Sequence, residues 1–303
     1  MALAGRQIAR LRFLRRVIAS RLARQDYSCP YCANGSSVVI ARKRSILDLR
    51  RCTHCGLMFR WPKDSVRQNF TFYQNDYSEG LTTRVPDEVS LRDMKERCFR
   101  GTEHDFSEKI QLLQALVPSG LILDFGCSWG YGTYQLSAAG YEAVGFEISR
   151  PRAEFARTRM GVQTIYEPGR LDCYVESFDA IFAAHVLEHL PSLNGTFDSF
   201  FRLLKPNGLL LAFVPNCSGS NANRLGVNWG PMCCEKHTTA FDPDFFRHNL
   251  PQHGFEILCF SDPYPQRLTE PVNRVQLSDL RCDGDELVVC AWRRASDLPI
   301  QKD

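Results

Sequence analysis

The sequence predicts an α/β fold: a Rossmann-like, mostly parallel seven-stranded sheet with helices on both faces, preceded by a small cysteine ribbon. Three observations carry this. Strand and helix patterns alternate regularly from residue 106 onward. An apolar strand at 121–125 runs directly into a glycine-bearing loop. Two C-x2-C pairs lie within residues 27–62. The 303 residues, 44% hydrophobic and 23% charged, suit one large domain plus something small. No run of about 18 apolar residues occurs, so no transmembrane segment is expected.

The net charge of +3 hides an asymmetry. Residues 1–60 hold thirteen Lys/Arg against two acids, Asp26 and Asp48, whereas the rest of the chain is acidic in balance. The start of the chain therefore prefers anionic neighbours. Within a first segment, 1–26, residues 6–24 read as a basic amphipathic helix, with Ile8, Leu11, Leu14, Ile18 and Leu22 at helical spacing and seven arginines elsewhere. Two readings stand: peripheral contact with an anionic membrane, or packing on the protein's own body with solvated arginines. The Arg-rich start also resembles an organelle transit peptide.

Residues 27–62 form the cysteine module, ended by Trp61-Pro62. Residues 63–105 are polar with interleaved aromatics (Phe70, Phe72, Tyr73, Tyr77) and read as a linker with short helices, either folding over the active site as a lid or merely anchored by those aromatics. The main domain, 106–295, starts with helix 106–117, then strand 121–125, helix 131–139 and strand 142–147. Helix 151–160 follows with Pro151 in its first turn, then a strand near 162–166, strand 178–184 and helix 194–204. A turn at Lys205-Pro206-Asn207-Gly208 leads into strand 208–214. After an insertion at 215–240 come helix 242–253 and strands 255–261 and 285–293, an expected antiparallel edge pair. Residues 296–303 are a tail.

The strand at 121–125 is apolar until Asp124, and the chain then turns through Gly126, Cys127, Ser128, Trp129, Gly130, Tyr131 and Gly132. Ligands of doubly wound sheets sit at such carboxyl ends. A dinucleotide fingerprint needs G-x-G-x-x-G. Here the glycines fall at 126, 130 and 132, and the Asp124 carboxylate would repel phosphate but suits a cationic ligand. Glu147, 23 residues beyond Asp124, ends the second strand where an acid can accept ribose hydroxyls.

On these residues, segment 121–215 resembles the class I S-adenosylmethionine-dependent methyltransferases. Asp124, Gly126 and Gly130 match the family's D/E-x-G-x-G-x-G, with Ser128 at the middle glycine. Glu147 matches the acid after the second strand, and FDAIFAAHVLEHL (178–190) and LLKPNGLLLAFVPN (203–216) resemble later blocks. The resemblance implies S-adenosylmethionine as cofactor. It places Asp124, Phe125, Gly126, Cys127 and Gly130 at the methionine moiety, Glu147 on the ribose and Ile148 against the adenine.

Methyl transfer from a sulfonium is an in-line displacement, so alignment dominates, and a base is needed only where the acceptor loses a proton. His185, Glu188, His189 and His237 are the candidates, with His185 and His237 foremost. Offsets of three and four place His185, Glu188 and His189 on one face of an expected helix. Some small-RNA and quinone-pathway O-methyltransferases hold a divalent cation with a similar E-x-x-E-H and a distant histidine. This chain has His185 where that pattern starts with Glu, which argues against a cation here. His237, in WGPMCCEKHTTAF, followed by F-D-P-D-F-F and Gly254-Phe255, resembles a methyltransferase subgroup of sugar and polysaccharide pathways.

Cys29, Cys32, Cys52 and Cys55 form two C-x2-C knuckles 19 residues apart, the pattern of a structural zinc site whose four thiolates close the coordination shell. The other nine cysteines read as packing residues, and the odd total of thirteen suits a reducing cytoplasmic setting with one metal site. Arg42-Lys43-Arg44, between the knuckles, would suit a phosphate backbone. The ribbon, with Cys55-Gly56-Leu57, is similar to that of sugar C-methyltransferases. The expected acceptor is therefore a hydroxyl or carbon of a saccharide or related small molecule, with RNA as the alternative, and an inactive zinc-ribbon binding protein as a third reading.

Overall fold

The computed structural model describes residues 13–15, 17–21, 27–75, 84–264 and 281–295. Its larger sheet has seven strands: β4 (Leu121–Phe125), β5 (Glu142–Phe146), β6 (Thr164–Ile165), β7 (Phe178–Ala184), β8 (Leu204–Pro215), β10 (Phe255–Ser261) and β11 (Glu286–Arg293). Their order is β10-β11-β8-β7-β4-β5-β6. β4 pairs in parallel with β5 and β7, β5 with β6, and β7 with β8. β11 inserts antiparallel between β8 and β10, the expected edge pair. From β4 the chain winds outward to β5 and β6, then returns to β7 and β8. This reversal puts the carboxyl end of β4 at the crevice where such sheets bind ligands.

Strand alternation divides the core between two faces. Leu123, Ile181, Leu210 and Val289 pack on one side, and Ile122, Ala180, Leu211 and Val288 on the other, all fully buried. These residues come from continuous apolar runs, as burial on both faces requires.

Several elements differ in detail from expectation. The segment 151–160 is an α-helix over Arg150–Phe155 and a π-helix over Ala156–Met160, closed by Gly161 in the left-handed region. The β7–β8 ladder reaches Leu204, opposite Phe178, and next pairs Ala180 with Leu209. The expected turn at 205–208 is thus a bulge inside the strand, with Asn207 at φ 63°. Segment 242–253 divides into an α-helix, Pro243–Asn249, capped by Asp242, and a 3-10 turn, Leu250–His253.

The second sheet is antiparallel, β1 (Ser37–Lys43), β2 (Leu47–Cys52), β3 (Met58–Trp61) and β9 (Thr239–Ala240), in that order. β9 comes from the insertion after β8, so the far end of the chain completes the ribbon's sheet. Residues 13–15 and 17–21 are helical. Phe13 and Val17 are buried with Leu47 and Cys233, while Leu14 and Ile18 are 37% and 54% exposed. The packed face is therefore not the expected stripe, whose other members, Ile8, Leu11 and Leu22, lie outside the described residues. Among the described residues no helix is long and apolar enough to cross a membrane. The segment after the ribbon contributes helices Val66–Asn75 and Glu88–Glu96.

Candidate functional site

Asp124 closes β4 as a buried carboxylate and accepts a 2.7 Å hydrogen bond from Thr133 Oγ1 on the helix Tyr131–Ala138. Burial pushes its carboxyl up to about 7 even against that bond. The loop turns at Gly126, where φ is +80° and a Cβ would lie 2.5 Å from Val186 Cγ2. A Cβ on Gly130 would lie 2.8 Å from Ala156 Cβ. The N–H groups of Gly126 and Cys127 both donate to Phe146 O, at 2.8 and 3.0 Å, and pin the turn to β5.

Ser128, in place of the middle glycine, sits at φ 53°. Its N–H donates to Glu147 Oε2 at 3.0 Å, and its Oγ accepts from the buried guanidinium of Arg152 at 2.6 Å. Glu147, one residue past β5, also accepts from Ser149 N at 2.7 Å. Burial raises the Glu147 carboxyl, opposed by these N–H donors and the charge of Arg152. Asp124 and Glu147 thus flank one loop as two buried acids. Cys127 is buried and its thiol is held well above the ordinary value by burial and the two nearby carboxylates. Phe125 turns onto Phe146 and Phe200 in the core, leaving its backbone to the loop. Ile148 is half-buried, and its carbonyl accepts from Gln74 Nε2 at 2.5 Å. The helix Val66–Asn75 reaches the other side too, where Asn69 Nδ2 donates to His189 O at 3.0 Å. Thr133, Arg152 and Gln74 escape sequence reading, because each matters through a neighbour that only the fold supplies.

His185 follows β7 at φ 53°. Its Nδ1 lies 3.4 Å from Glu188 and its Nε2 2.5 Å from Glu286, which also pairs with Lys109. Crowding by protein favours the neutral ring, but the two carboxylates dominate and hold it up at about 9. With a carboxylate beside each nitrogen, His185 is part of an ion-pair chain with Glu188 and Glu286. The expected helix through Glu188 and His189 is a 3-10 turn, Leu187–His189, and the following helix starts only at Asn194.

His237 nevertheless arrives beside this turn. Thr238 N and Oγ1 bond Glu188 O and Leu190 O at 2.9 and 2.8 Å, which seats the insertion. The His189 and His237 rings meet edge to face at 4.8 Å. Crowding and the neighbouring His189 lower His237 to about 4, so its ring is neutral. Burial opposes the charge on Glu188, but the bond from His185 and the adjacent histidines hold its carboxyl near about 2.

The four ribbon cysteines bring their sulfurs within 4.8 Å of one another, with Cys29–Cys55 at 3.5 Å and Cys32–Cys52 at 3.6 Å. Four thiolates about 2.3 Å from a tetrahedral zinc would stand about 3.8 Å apart, so the donor set fits. Tyr31 N donates to Cys29 Sγ and Asn249 Nδ2 to Cys55 O. All thirteen cysteines are free of disulfides. Of the basic trio, Arg42 pairs with Asp48 and Lys43 donates to Cys233 O.

A doubly wound sheet with two acids around its first crevice loop defines a nucleotide-type ligand domain. A family model described as a methyltransferase domain matches residues 92–259, more than half of the chain, and the chain belongs to that family. It is 31% identical over 117 residues to Phosphoethanolamine N-methyltransferase 1 of Zea mays, covering 36% of this chain and 23% of that protein. It is 24% identical over 163 residues to the Sterol 24-C-methyltransferase of Eremothecium gossypii, covering 49% and 44%. The matches thus span less than half the length of these two relatives. A solved SAM-dependent methyltransferase from Archaeoglobus fulgidus aligns with a TM-score of 0.46 at 16% identity, over 68% of this chain and all of that one.

Proposed function

We propose that the chain is an S-adenosylmethionine-dependent methyltransferase acting on a hydroxyl or carbon of a small-molecule acceptor, a saccharide or related compound. The observation that carries this reading is the pair of buried carboxylates, Asp124 and Glu147, joined across one loop by the Ser128 N–H. The donor supplies a methyl group on a cationic sulfur. Ionised Asp124 offers the counter-charge for a cationic ligand, the 126–130 backbone gives it close approach, and Glu147 is held by Ser128 N and Ser149 N with lone pairs left for hydroxyls. The helix Val66–Asn75 bonds both Ile148 O and His189 O, so it spans from the proposed donor side to the turn after β7. Val186 packs against Gly126, so the turn bearing Glu188 and His189 adjoins the loop, and the acceptor would lie there with His237.

The two curated relatives are named for phosphoethanolamine and a sterol, small molecules that support a small acceptor. The saccharide reading rests on the ribbon and the His237 region. Titration calorimetry with S-adenosylmethionine tests the donor site: binding is expected for the native chain and strongly weakened binding for Asp124→Ala. Equal binding by both would remove the assignment. Assays on activated sugars and RNA then test the acceptor, and turnover of RNA alone would overturn the small-molecule reading.

A further inference from the structure

We propose that the N-terminal helix and the tip of the β1–β2 hairpin together form a docking face for an anionic phospholipid surface. The helix is seated through one stripe and offers another. Phe13 and Val17, one turn apart, are buried with Leu47 and Cys233, and Arg21 donates to Ile46 O at 2.9 Å and to Asp48 at 3.0 Å. Leu14 and Ile18, also one turn apart, stand on the neighbouring stripe and are exposed. The helix cannot turn them inward without giving up the contacts of Phe13, Val17 and Arg21.

The hairpin adds cations beside them. Arg44 and Ser45 take φ 51° and 55°, a tight turn closed by the bond from Ile46 N to Lys43 O, which lays Arg44 at the tip. Arg44 and, on the helix, Arg15 are exposed and have no carboxylate partner among the described residues. Asp48 is shared between Arg21 and Arg42, so it neutralises only one of them. The Lys43 ammonium meets a neutral carbonyl, Cys233 O, and keeps its charge.

Between helix and tip lies a cavity of about 240 Å³, lined by Leu14 and Ile46, by Lys43 and Arg44, and by one acid, Glu235. Apolar side chains next to cations suit the level of a bilayer where acyl chain meets phosphate. β1, the edge strand that leads to this tip, adds Val38, Val39 and Ile40 as further exposed apolar side chains.

Charge alone would suit a nucleic acid equally well, and the aliphatic side chains decide between the two. A phosphate backbone is met by cations and polar groups, whereas exposed aliphatics gain only where an apolar phase removes them from water. Near an anionic bilayer each basic residue contributes about fivefold in affinity. This face does not depend on the methyltransferase reading.

Vesicle flotation of the full chain tests it, with phosphatidylcholine alone and with phosphatidylcholine mixed with phosphatidylglycerol. Binding is expected to the anionic mixture only, and to weaken as salt rises through about 0.15 M. Reversing two charges in Arg15→Glu/Arg44→Glu should weaken it about 25-fold or more, and Ile18→Asp about tenfold or more. Melting temperatures measured on the same samples show that each variant is folded, and Ile18→Ser replaces Ile18→Asp should the latter melt early. No flotation with anionic vesicles, or equal flotation with neutral ones, overturns the proposal. So does loss on charge reversal with none at Ile18, which would mean a purely electrostatic patch. Salt-dependent RNA binding by a chain that ignores vesicles would likewise overturn it and assign the cations to a phosphate backbone.

Discussion

In the proposed donor site, Asp124 would serve binding at a cost to stability. Burial holds its proton up to a pH of about 7, whereas an unfolded aspartate loses it near 3.8. The folded chain therefore binds more protons between those values, and stability falls as pH rises through that window. A cationic ligand prefers the ionised form, so S-adenosylmethionine affinity is expected to climb as pH rises from 6 to 8 and to level off above. Asp124→Asn keeps an acceptor for Thr133 but removes the charge. It should bind about tenfold or more weakly with no such pH slope, and unfold at a higher temperature than the native chain at pH 8 without ligand. Calorimetric affinities at four pH values and a melting scan check both, and a flat native profile would refute the charge argument. Arg152 is the complementary case. Fully buried, it bonds Ser128 Oγ and supplies charge near Glu147, so Arg152→Met should destabilise by about 3–5 kcal/mol in urea unfolding, because it leaves Glu147 buried without its cation. A loss under 1 kcal/mol would show that Ser128 and Glu147 are satisfied without it.

At the scale of elements, the crevice loop is shaped by steric limits. Gly126→Ala would force an alanine to φ +80° with its Cβ 2.5 Å from Val186 Cγ2 and 2.9 Å from Val186 Cβ. The expected cost is about 1–3 kcal/mol in stability, with weaker donor binding. Adding Val186→Ala should recover only part, because the Cβ contact remains; full recovery in a double-mutant cycle would show that backbone strain counts for little. Legibility divides along the same line. β4, β7 and β11 could be read because unbroken apolar runs such as Leu121–Leu123 and Leu287–Ala291 need burial on both faces, and Asp124 and Glu147 could be read because they interrupt or end such runs. The 3-10 turn at Leu187–His189 could not, since local spacing there fits a helix equally well and only the insertion bonded by Thr238 fixes it. The bulge before Leu209 and the two-residue β9 were hidden for a related reason: each is defined by a distant partner strand.

For the whole molecule, the ribbon and the main sheet share one buried core, which predicts that they fold together. Cys29, Cys52, Leu57 and Phe59 share a buried cluster with Phe197, Phe245 and the inner face of the seven-stranded sheet. Tyr31 Oη meets His253 Nε2 at 2.9 Å, and His253 Nδ1 meets Asp198 at 2.6 Å, so a buried polar chain also crosses from the knuckle to the domain's helices. β3 pairs with β9, next to the segment that carries His237. A metal bound by the four cysteines would therefore stabilise distant parts of the chain, because its binding free energy would become folding free energy wherever the cores are continuous. Each kcal/mol lost moves Tm by about 2–4 °C for a domain of this size. Cys52→Ser, which removes one thiolate, is thus expected to lower the melting of the entire chain by about 10 °C or more. In the native protein, scanning calorimetry should show a single transition. Strong chelation should lower that same transition, since β9 and Thr238 pack on the ribbon through β3. Two resolved transitions, with the upper one indifferent to Cys52→Ser, would instead mean that the ribbon folds as an independent appendage.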